Sequence, residues 1–349
     1  MRRNTQQGFT LIELMIALII GLLITAAAFK LFYTGLLSNN IQQAGSELVD
    51  NSVFGADYLT RHMQRANLGS LGDSEGGDGD FLNHLTALGG IVLTAPTDMS
   101  VFGTTLSSGQ IVGNNLRGLN LGGNLIPAEL LSKNGSGTAS DQLTIQYRMR
   151  EAGKVDCMGR IIPKDNYVIE RYFVRSGGLA CAAAIYAYDE ELAKGISAST
   201  ATSSAPNTST NKNGIDISTY TKPDGTPGAN NLAGDGQIIV PNVENFQVLM
   251  GLTDSKKFAA KPSELAIEYR PIPALASMNS IFGLDVATGK TTKRIVAMQI
   301  GLLMRADNPI QAPNNSYKVL DQTVSSVDDG KMRDVYTSNI LIRNARGVV

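Results

Sequence analysis

The stretch Gly8–Leu14, with the sequence GFTLIEL, opens an almost unbroken apolar run and decides how the chain begins to fold. From Phe9 to Phe29 every residue is apolar or small except Thr10, Thr25 and Glu13. A helix over this run is about 31 Å long at about 1.5 Å per residue, which is enough to cross the hydrocarbon core of a bilayer. The sequence therefore predicts one membrane-spanning helix near the N-terminus.

Charged residues on both sides of the apolar run predict its orientation. Arg2 and Arg3 precede it and Lys30 follows it. The two arginines favour a cytoplasmic N-terminus, which places the rest of the chain in the periplasm. Glu13 is the only charge inside the run, and an acid within a membrane segment usually has a partner and a function.

Three ordinary interpretations of this segment compete. A cleaved secretory signal is suggested by Ala26 and Ala28, which form an A-x-A site, but a carboxylate within the apolar core of a signal is costly. A twin-arginine signal is disfavoured, because the chain lacks the Phe-Leu pair that follows the arginines in such a signal. A simple membrane anchor leaves Glu13 without a role.

A fourth interpretation accounts for all of these features, because Gly8–Leu14 resembles the type IV prepilin signature. In that family a short basic leader ends in Gly, and a membrane peptidase cleaves after it. The resemblance implies cleavage between Gly8 and Phe9 by a prepilin peptidase, and N-methylation of the new Phe9 amine. It also implies that Glu13 acts in assembly by pairing with the free amine of a neighbouring subunit. A buried carboxylate is tolerable when it is paired in this way.

Composition excludes several classes of protein. The 30 basic and 31 acidic residues give a formal net charge of −1, which offers no global attraction to nucleic acid. The two histidines, His62 and His84, cannot build a multi-histidine metal cage. Two cysteines cannot form a zinc module or a dense disulfide framework.

The helix is predicted to continue beyond the membrane as an amphipathic helix that ends near Leu68. Its apolar positions have helical spacing. They are Ile41, Ala44, Leu48, Val49, Val53, Ala56, Leu59, Met63 and Ala66.

The rest of the chain shows the alternation typical of half-buried antiparallel strands. The clearest stretches are 143–149, 265–269, 296–304 and 336–342. No helical pattern follows each strand, so a parallel βαβ fold is not expected. The predicted fold class is α+β, with a long hydrophobic and amphipathic N-terminal helix packed on a large antiparallel β-rich head.

These patterns divide the chain into four consecutive parts. They are a leader at 1–8, a transmembrane and assembly helix at 9–37, an amphipathic helix at 38–68 and the head at 69–349. Stretches rich in Gly, Ser, Thr, Asn and Pro predict flexible loops within the head. They lie near 69–80, 196–214 and 220–236.

The two cysteines, Cys157 and Cys181, lie in the part of the chain predicted to face an oxidising periplasm. The simplest expectation is one disulfide between them. Closing a loop of about 25 residues contributes roughly 3.5 kcal/mol in the chain-entropy treatment.

No catalytic motif stands out. The stretch Ala287–Thr291 resembles the end of a phosphate-binding loop, but the spacing from Gly283 to Gly289 is wrong and a strand pattern follows. His62 is predicted to lie on the exposed polar side of the long helix. We therefore expect no enzymatic activity, no cofactor and no metal, and we see no platform for direct nucleic-acid binding.

Several blocks of the head resemble the PilW family of type IV pilus minor pilins, in the family's order and nearly from end to end. They are 140–148, 156–159, the second cysteine Cys181, 243–251, 295–305 and 339–344. The resemblance implies a minor pilin that helps prime pilus assembly at the fibre tip, with other minor and major pilins and a PilY-type tip adhesin. It implies an inner-membrane precursor and then a surface pilus of a Gram-negative bacterium, supporting twitching motility, attachment or DNA uptake.

Three alternatives remain. A pseudopilin of type II secretion usually has a much smaller head. A membrane-tethered hydrolase would need an activated nucleophile, and the sequence offers none. A surface-binding adhesin on a pilin stem could use the loops at 81–140 and 196–236.

Overall fold

The computed structural model describes most of the long helix and the head. The described residues are 9–69, 90–93, 119–122, 124–135, 137–187, 215–254, 266–273, 278–282, 292–325 and 327–342. The leader and the predicted loops at 70–80 and 196–214 lie outside these ranges, as do His84 and the stretch Ala287–Thr291.

Helix α1 runs without a break over Leu11–Met63, about 80 Å at about 1.5 Å per residue. The predicted division at position 37 therefore falls inside one continuous helix. The helix ends at Met63, five residues before the predicted end at Leu68, because tight turns carry the chain on to Gly69. A second helix, α2, is short and spans Met278–Phe282.

The head is built from strands. They are β1 Leu119–Leu121, β2 Asn124–Leu125, β3 Leu143–Met149, β4 Asn166–Arg175, β5 Gly178–Tyr186, β6 Ile215–Asp216, β7 Thr219–Thr221, β8 Pro227–Ala229, β9 Gln237–Pro241, β10 Val243–Asp254, β11 Glu268–Pro271, β12 Lys293–Pro309, β13 Ser316–Val319, β14 Gln322–Ser325 and β15 Lys331–Leu341.

Two four-stranded antiparallel sheets form the body of the head. The first sheet has the order β3-β4-β5-β9 and the second has the order β11-β10-β12-β15. Helix α1 contacts β9 of the first sheet and β12 and β15 of the second. The predicted α+β class is confirmed, and the strands predicted over 143–149 and 296–304 are present.

These central strands are buried on both faces, which corrects the prediction of half-buried strands. In β5 every residue is buried. Leu179, Cys181 and Ile185 face the main core, whereas Ala184 and Tyr186 join a second apolar cluster on the other face. That cluster is built from segments around 119–131 and 217–232, which periodicity within one strand cannot reveal.

Two other sequence predictions were wrong in the described residues. The strand predicted at 265–269 is only the four-residue edge strand β11, and its side chains Ile267 and Tyr269 are substantially exposed. The loop predicted at 220–236 contains the hairpin β7–β8. Its turn is closed by Asp224, which accepts hydrogen bonds from the Thr226 N–H and hydroxyl, a local interaction that loop composition does not exclude.

The second half of α1 packs on the head through one stripe. Of the predicted apolar positions, six are buried: Ala44, Leu48, Ala56, Leu59, Met63 and Ala66. The remaining three, Ile41, Val49 and Val53, are exposed. The apolar pattern is therefore wider than the face that the head covers.

Gly55 lies at the closest approach between α1 and the first sheet. A Cβ atom at this position would lie 2.6 Å from the Cγ1 atom of the buried Val240 in β9. No atom lies within 4 Å of the corresponding position at Gly45, ten residues earlier in the same helix.

We expect Gly55→Val to destabilise the docking of α1 by about 1–3 kcal/mol, because a branched side chain overpacks against a stiff Val240. Gly45→Ala is the matched control and is expected to be neutral or stabilising, since Ala is the better helix former by about 1 kcal/mol. Urea unfolding of both full-length variants in detergent checks the prediction. Equal stability of Gly55→Val and the wild type would contradict it.

Candidate assembly site

The N-terminal end of α1 carries a capping box built from Thr10 and Glu13. The Glu13 N–H donates to the Thr10 hydroxyl at 3.3 Å. The Glu13 Oε2 atom accepts from the Thr10 N–H at 3.2 Å and from the Thr10 hydroxyl at 3.0 Å. These bonds satisfy backbone groups that a helix leaves open at its start. Both hydrogen bonds that the Glu13 carboxylate accepts use its Oε2 atom, and no donor among the described residues contacts its Oε1 atom.

The predicted cleavage position lies directly before this cap. Phe9 lies outside the helix, is 89% exposed and precedes Thr10, whose backbone is extended. Gly8 lies outside the described residues. An amine created at Phe9 would therefore be one residue away from the N–H group that Glu13 already holds.

The first half of α1 stands free of the head. From Leu11 to Gln43 no side chain is buried, and the first buried residue is Ala44. This free part is about 50 Å long at about 1.5 Å per residue. Among the described residues, α1 is the one helix long and apolar enough to cross a membrane.

Glu47 holds the helix where it first meets the head. Its Oε1 atom accepts from Nδ2 of Asn242, which lies between the two sheets, at 3.1 Å. The same carboxylate accepts from the Asp307 N–H, at the end of β12, at 3.2 Å. One side chain of α1 therefore bonds both to the second sheet and to the residue that connects the two sheets.

Glu170, at the other end of the junction, is completely buried and forms the centre of a polar cluster. His62 Nδ1 of α1 lies 3.2 Å from its Oε1 atom. Oε1 also accepts from the Tyr147 hydroxyl at 2.8 Å and from the Cys157 N–H at 2.7 Å, and Oε2 accepts from the Tyr172 hydroxyl at 2.5 Å. The carboxylate therefore joins α1, the first sheet and the loop at Cys157.

The surroundings of Glu170 keep it ionised. Burial alone would raise its pKa, but the hydrogen bond and charge of His62 and the two tyrosine hydroxyls outweigh burial, so the pKa lies below its ordinary value. Burial and the nearby Glu170 charge raise the pKa values of Tyr147 and Tyr172 well above 10.0. With the pKa of Glu170 lowered and the pKa values of Tyr147 and Tyr172 raised, these three groups keep their protonation states around neutral pH and form a hydrogen-bonding node.

A disulfide joins Cys157 to Cys181 in β5. It fixes the loop around Cys157, whose backbone carbonyl accepts from the Tyr58 hydroxyl of α1 at 2.9 Å. In the same loop the Val155 carbonyl accepts from Nη1 of Arg65 at 2.6 Å. The disulfide loop is thus held between the helix and the first sheet.

Two comparisons with protein families agree with this arrangement. Residues 3–29 match the prokaryotic N-terminal methylation motif, which spans the leader and the free apolar part of the helix. Residues 209–344 match the family described as type IV pilus-assembly protein W, or PilW. The two matches together support a type IV pilus minor pilin of the PilW family. No curated protein matches it significantly.

Among solved structures, this chain is similar to a type IV-like pilin from Thermus thermophilus. The two share 12% sequence identity at a TM-score of 0.35, over 85% of this chain and 98% of the other. The apolar N-terminal helix and the matched methylation motif support membrane anchoring and association with a pilus.

His62 is the functional residue that sequence reasoning placed wrongly. Its place on the polar side of the helix predicts an exposed side chain, yet His62 is 3% exposed, and its ring lies 4.4 Å from the Tyr58 ring between centroids, tilted by 33°. The signal was present in the helical spacing, because His62 lies beside the buried Leu59 and Met63. Glu170, its partner, carried no signal because 108 residues separate the two.

The head also contains an open cleft of 870 Å³ beside the β7–β8 hairpin. The residues that line it lie between 152 and 227, distant in sequence from helix α1. Its lining includes Tyr220, Lys222, Asn166 and Lys164. The adhesin alternative would use such a cleft, and it stays a prediction. Within the described ranges, no three His, Cys, Asp or Glu side chains are placed to hold a metal ion.

Proposed function

We propose that this PilW-family minor pilin helps prime type IV pilus assembly, at the fibre tip with other minor pilins and a PilY-type adhesin. The observation that carries the proposal is the free apolar helix, which extends from Leu11 to Gln43 and holds one acid at its tip. Such a helix is stable in a bilayer and can be transferred into a bundle of similar helices. The pilus would then serve twitching motility, attachment or DNA uptake.

The precursor is a single-pass inner-membrane protein with its N-terminus in the cytoplasm and its head in the periplasm. Arg2 and Arg3 before the helix support this orientation, and the disulfide suits the periplasm. The family match favours a type IV pilus over a type II secretion pseudopilin.

An exposed apolar stripe continues from the membrane segment onto the head-bound part of α1. Val49, Val53 and Phe54 are 58%, 56% and 74% exposed. Apolar side chains at these levels of exposure on a helix are suited to contact with neighbouring subunits in an assembled fibre. They support assembly through the whole helix rather than through its membrane part alone.

We expect cleavage between Gly8 and Phe9 by a prepilin peptidase, followed by N-methylation of Phe9. Mass analysis of the N-terminal peptide of the exported protein checks this. Gly8→Ala is expected to be processed nearly as well as the wild type, because Ala is almost as small, whereas Gly8→Leu is expected to block processing. A mature chain starting after Ala28 would contradict the pilin assignment of the site.

We propose that Glu13 acts in assembly through its charge, by pairing with the N-terminal amine of a neighbouring subunit. Glu13→Gln is the informative change, because Gln can keep the cap on Thr10 but cannot pair with an ammonium group. We expect it to insert and to be cleaved normally, yet to enter fibres about tenfold less, since a hydrogen bond to a charged group contributes roughly 1.5–3 kcal/mol.

Thr10→Ala is the matched control for Glu13. It removes the cap and keeps the charge, and we expect near-normal incorporation. Recovery of each variant in sheared fibres, at matched expression and confirmed processing, is the measurement. Wild-type recovery and wild-type crosslinking of Glu13→Gln to partner pilins would show that the charge has no role in assembly.

A further inference from the structure

The second sheet ends in β15, an eleven-residue edge strand, and most of its outward backbone groups have no partner among the described residues. In an antiparallel pair, successive residues point their backbone groups alternately toward and away from the partner. The Ile342 N–H donates to the Val296 carbonyl at 2.9 Å, and the pairing with β12 keeps one register from Arg333 to Leu341. The residues whose N–H and C=O groups point away from β12 are therefore Arg333, Val335, Thr337, Asn339 and Leu341.

Few hydrogen bonds are formed by these outward backbone groups. The Val335 N–H donates to the carboxylate of its neighbour Asp334 at 2.8 Å. Within the part of the chain that the structure describes, no bond is formed by the outward groups of Thr337, Asn339 or Leu341. An extended strand placed beside these three residues could form hydrogen bonds with their three N–H and three C=O groups.

The edge of the first sheet at β3 is closed by the chain itself. Its outward residues are paired with the segments 66–69 and 90–93. The bonds run from Val92 N to Thr144 O at 2.8 Å, Gln146 N to Gly90 O at 2.8 Å, Asn67 N to Gln146 O at 3.1 Å and Arg148 N to Leu68 O at 2.8 Å.

The remaining edges are also blunted. On the far side of the second sheet, Asp141 bonds to β10: its carboxylate accepts from the Val248 N–H at 2.7 Å and its N–H donates to the Phe246 carbonyl at 2.7 Å. β11 pairs with the next four residues of β10, is only four residues long and ends in Pro271, which has no N–H. β9 is only five residues long and ends in Pro241. Of the four edges of these two sheets, in the described residues, only that of β15 is both long and open.

The outward residues from Val335 to Leu341 also lack the features that normally protect an edge. Such edges usually carry lysine, proline or a bulge. The charged residues Lys331, Arg333 and Asp334, and the irregular pairing with β12, lie at the other end of the strand. Val335, Thr337, Asn339 and Leu341 include neither lysine nor proline, and Leu341 is 61% exposed. On the other side of the strand, Ile340 is completely buried in the main core. An open, unprotected edge of this length is suited to strand addition.

We propose that the β15 edge receives an extended strand from a different subunit of the pilus, a proposal that rests on the proposed function. The strand is amphipathic, with apolar residues on the side of Ile340 and polar residues beside Thr337 and Asn339, because side chains of paired strands share faces. Hydrogen bonds between the main chains provide the affinity for the added strand, and the alternation of its apolar and polar residues fixes its register.

A second copy of this chain does not fit the edge. Antiparallel pairing of two β15 strands places a two-fold axis perpendicular to the shared sheet. That axis reverses the direction of α1, which lies across β12 and β15. The two membrane helices would then point in opposite directions, whereas both must enter the same membrane from one side.

Hydrogen exchange tests the proposal on the wild-type protein. The full chain is compared in detergent, alone and in the pilin complex purified from membranes of the source cells by a tag on this chain. We expect the Thr337, Asn339 and Leu341 amides to exchange at least about tenfold more slowly in the complex, the ratio for a free energy of about 1.4 kcal/mol. Protection already present in the isolated chain, or no slowing in the complex, would overturn the proposal.

Asn339→Pro tests the same edge genetically. It removes an outward N–H and leaves the β12 ladder intact, whereas the control Asn339→Ala keeps the N–H. We expect Asn339→Pro, at unchanged thermal stability, to lose most of its recovery in fibres, and Asn339→Ala to keep it. Wild-type recovery of Asn339→Pro, or a β15–β15 homodimer, would overturn the inference but not the minor-pilin function. Absence of wild-type protein from fibres would overturn that function, and the exchange measurement on the membrane complex would still decide the inference.

Discussion

Glu170→Ala is expected to lower the free energy of unfolding of the protein by about 3–5 kcal/mol, because several buried hydrogen-bond donors lose their acceptor at about 1–3 kcal/mol each. The change leaves His62 Nδ1, the Cys157 N–H and two tyrosine hydroxyls without the carboxylate that accepts from them. It also opens a cavity in a fully buried position. Urea unfolding in detergent, followed by tyrosine fluorescence because the chain has no Trp, measures it.

Glu170→Gln and Glu268→Gln complete this experiment. Gln at position 170 keeps the volume and some hydrogen bonds, so we expect an intermediate loss. Glu268 lies at the surface, where it pairs with Arg270 and Lys293, and we expect its replacement to leave the unfolding curve unchanged. Equal stability of Glu170→Ala and Glu268→Gln would show that the buried cluster does not stabilise the junction.

The contribution of Glu170 also depends on pH. Its pKa is lower in the folded chain than the ordinary value of 4.5. Folding therefore favours the ionised form, so this contribution is complete above about pH 4.5 and is lost as the pH falls through the lower, folded-state pKa. We expect the stability difference between the wild type and Glu170→Gln to shrink in that acidic range. A difference that grows on acidification would contradict the assignment.

Removal of the disulfide is expected to lower the free energy of unfolding by about 2–5 kcal/mol. The double variant Cys157→Ala/Cys181→Ala releases the constraint on the unfolded chain. It also frees the loop whose backbone bonds to Glu170 and Tyr58. Membrane insertion and cleavage after Gly8 are expected to be unchanged, because both depend on the N-terminal segment.

Non-reducing peptide mapping of the native protein is the direct measurement for the disulfide. A crosslinked pair of peptides containing Cys157 and Cys181 is expected, and two freely alkylated thiols would refute it. Because the Cys157 N–H donates to Glu170, the losses from Glu170→Ala and from disulfide removal are expected to be less than additive. Full additivity would mean that the disulfide and the polar cluster stabilise the protein independently.

Much of the local structure could be predicted from the sequence. The free helix follows from an uninterrupted apolar run, and β3 and β12 follow from alternation over seven or more residues. The capping box follows from Thr10 and Glu13, three positions apart. In each case the interacting groups lie within a few residues of one another, so spacing along the chain is enough to predict the contact.

The sequence by itself was enough to predict the membrane helix, the processing motif, the antiparallel arrangement of the strands and the disulfide between the two cysteines. Only the tertiary structure decided that His62 is buried on Glu170, that the central strands are covered on both faces, and that among the described edges of the two main sheets β15 has the long open one. These features depend on segments far apart in the sequence; His62 and Glu170, for example, are separated by 108 residues. Local periodicity records which face of an element is apolar, but whether a second face or an edge is covered depends on chain segments that only folding brings together.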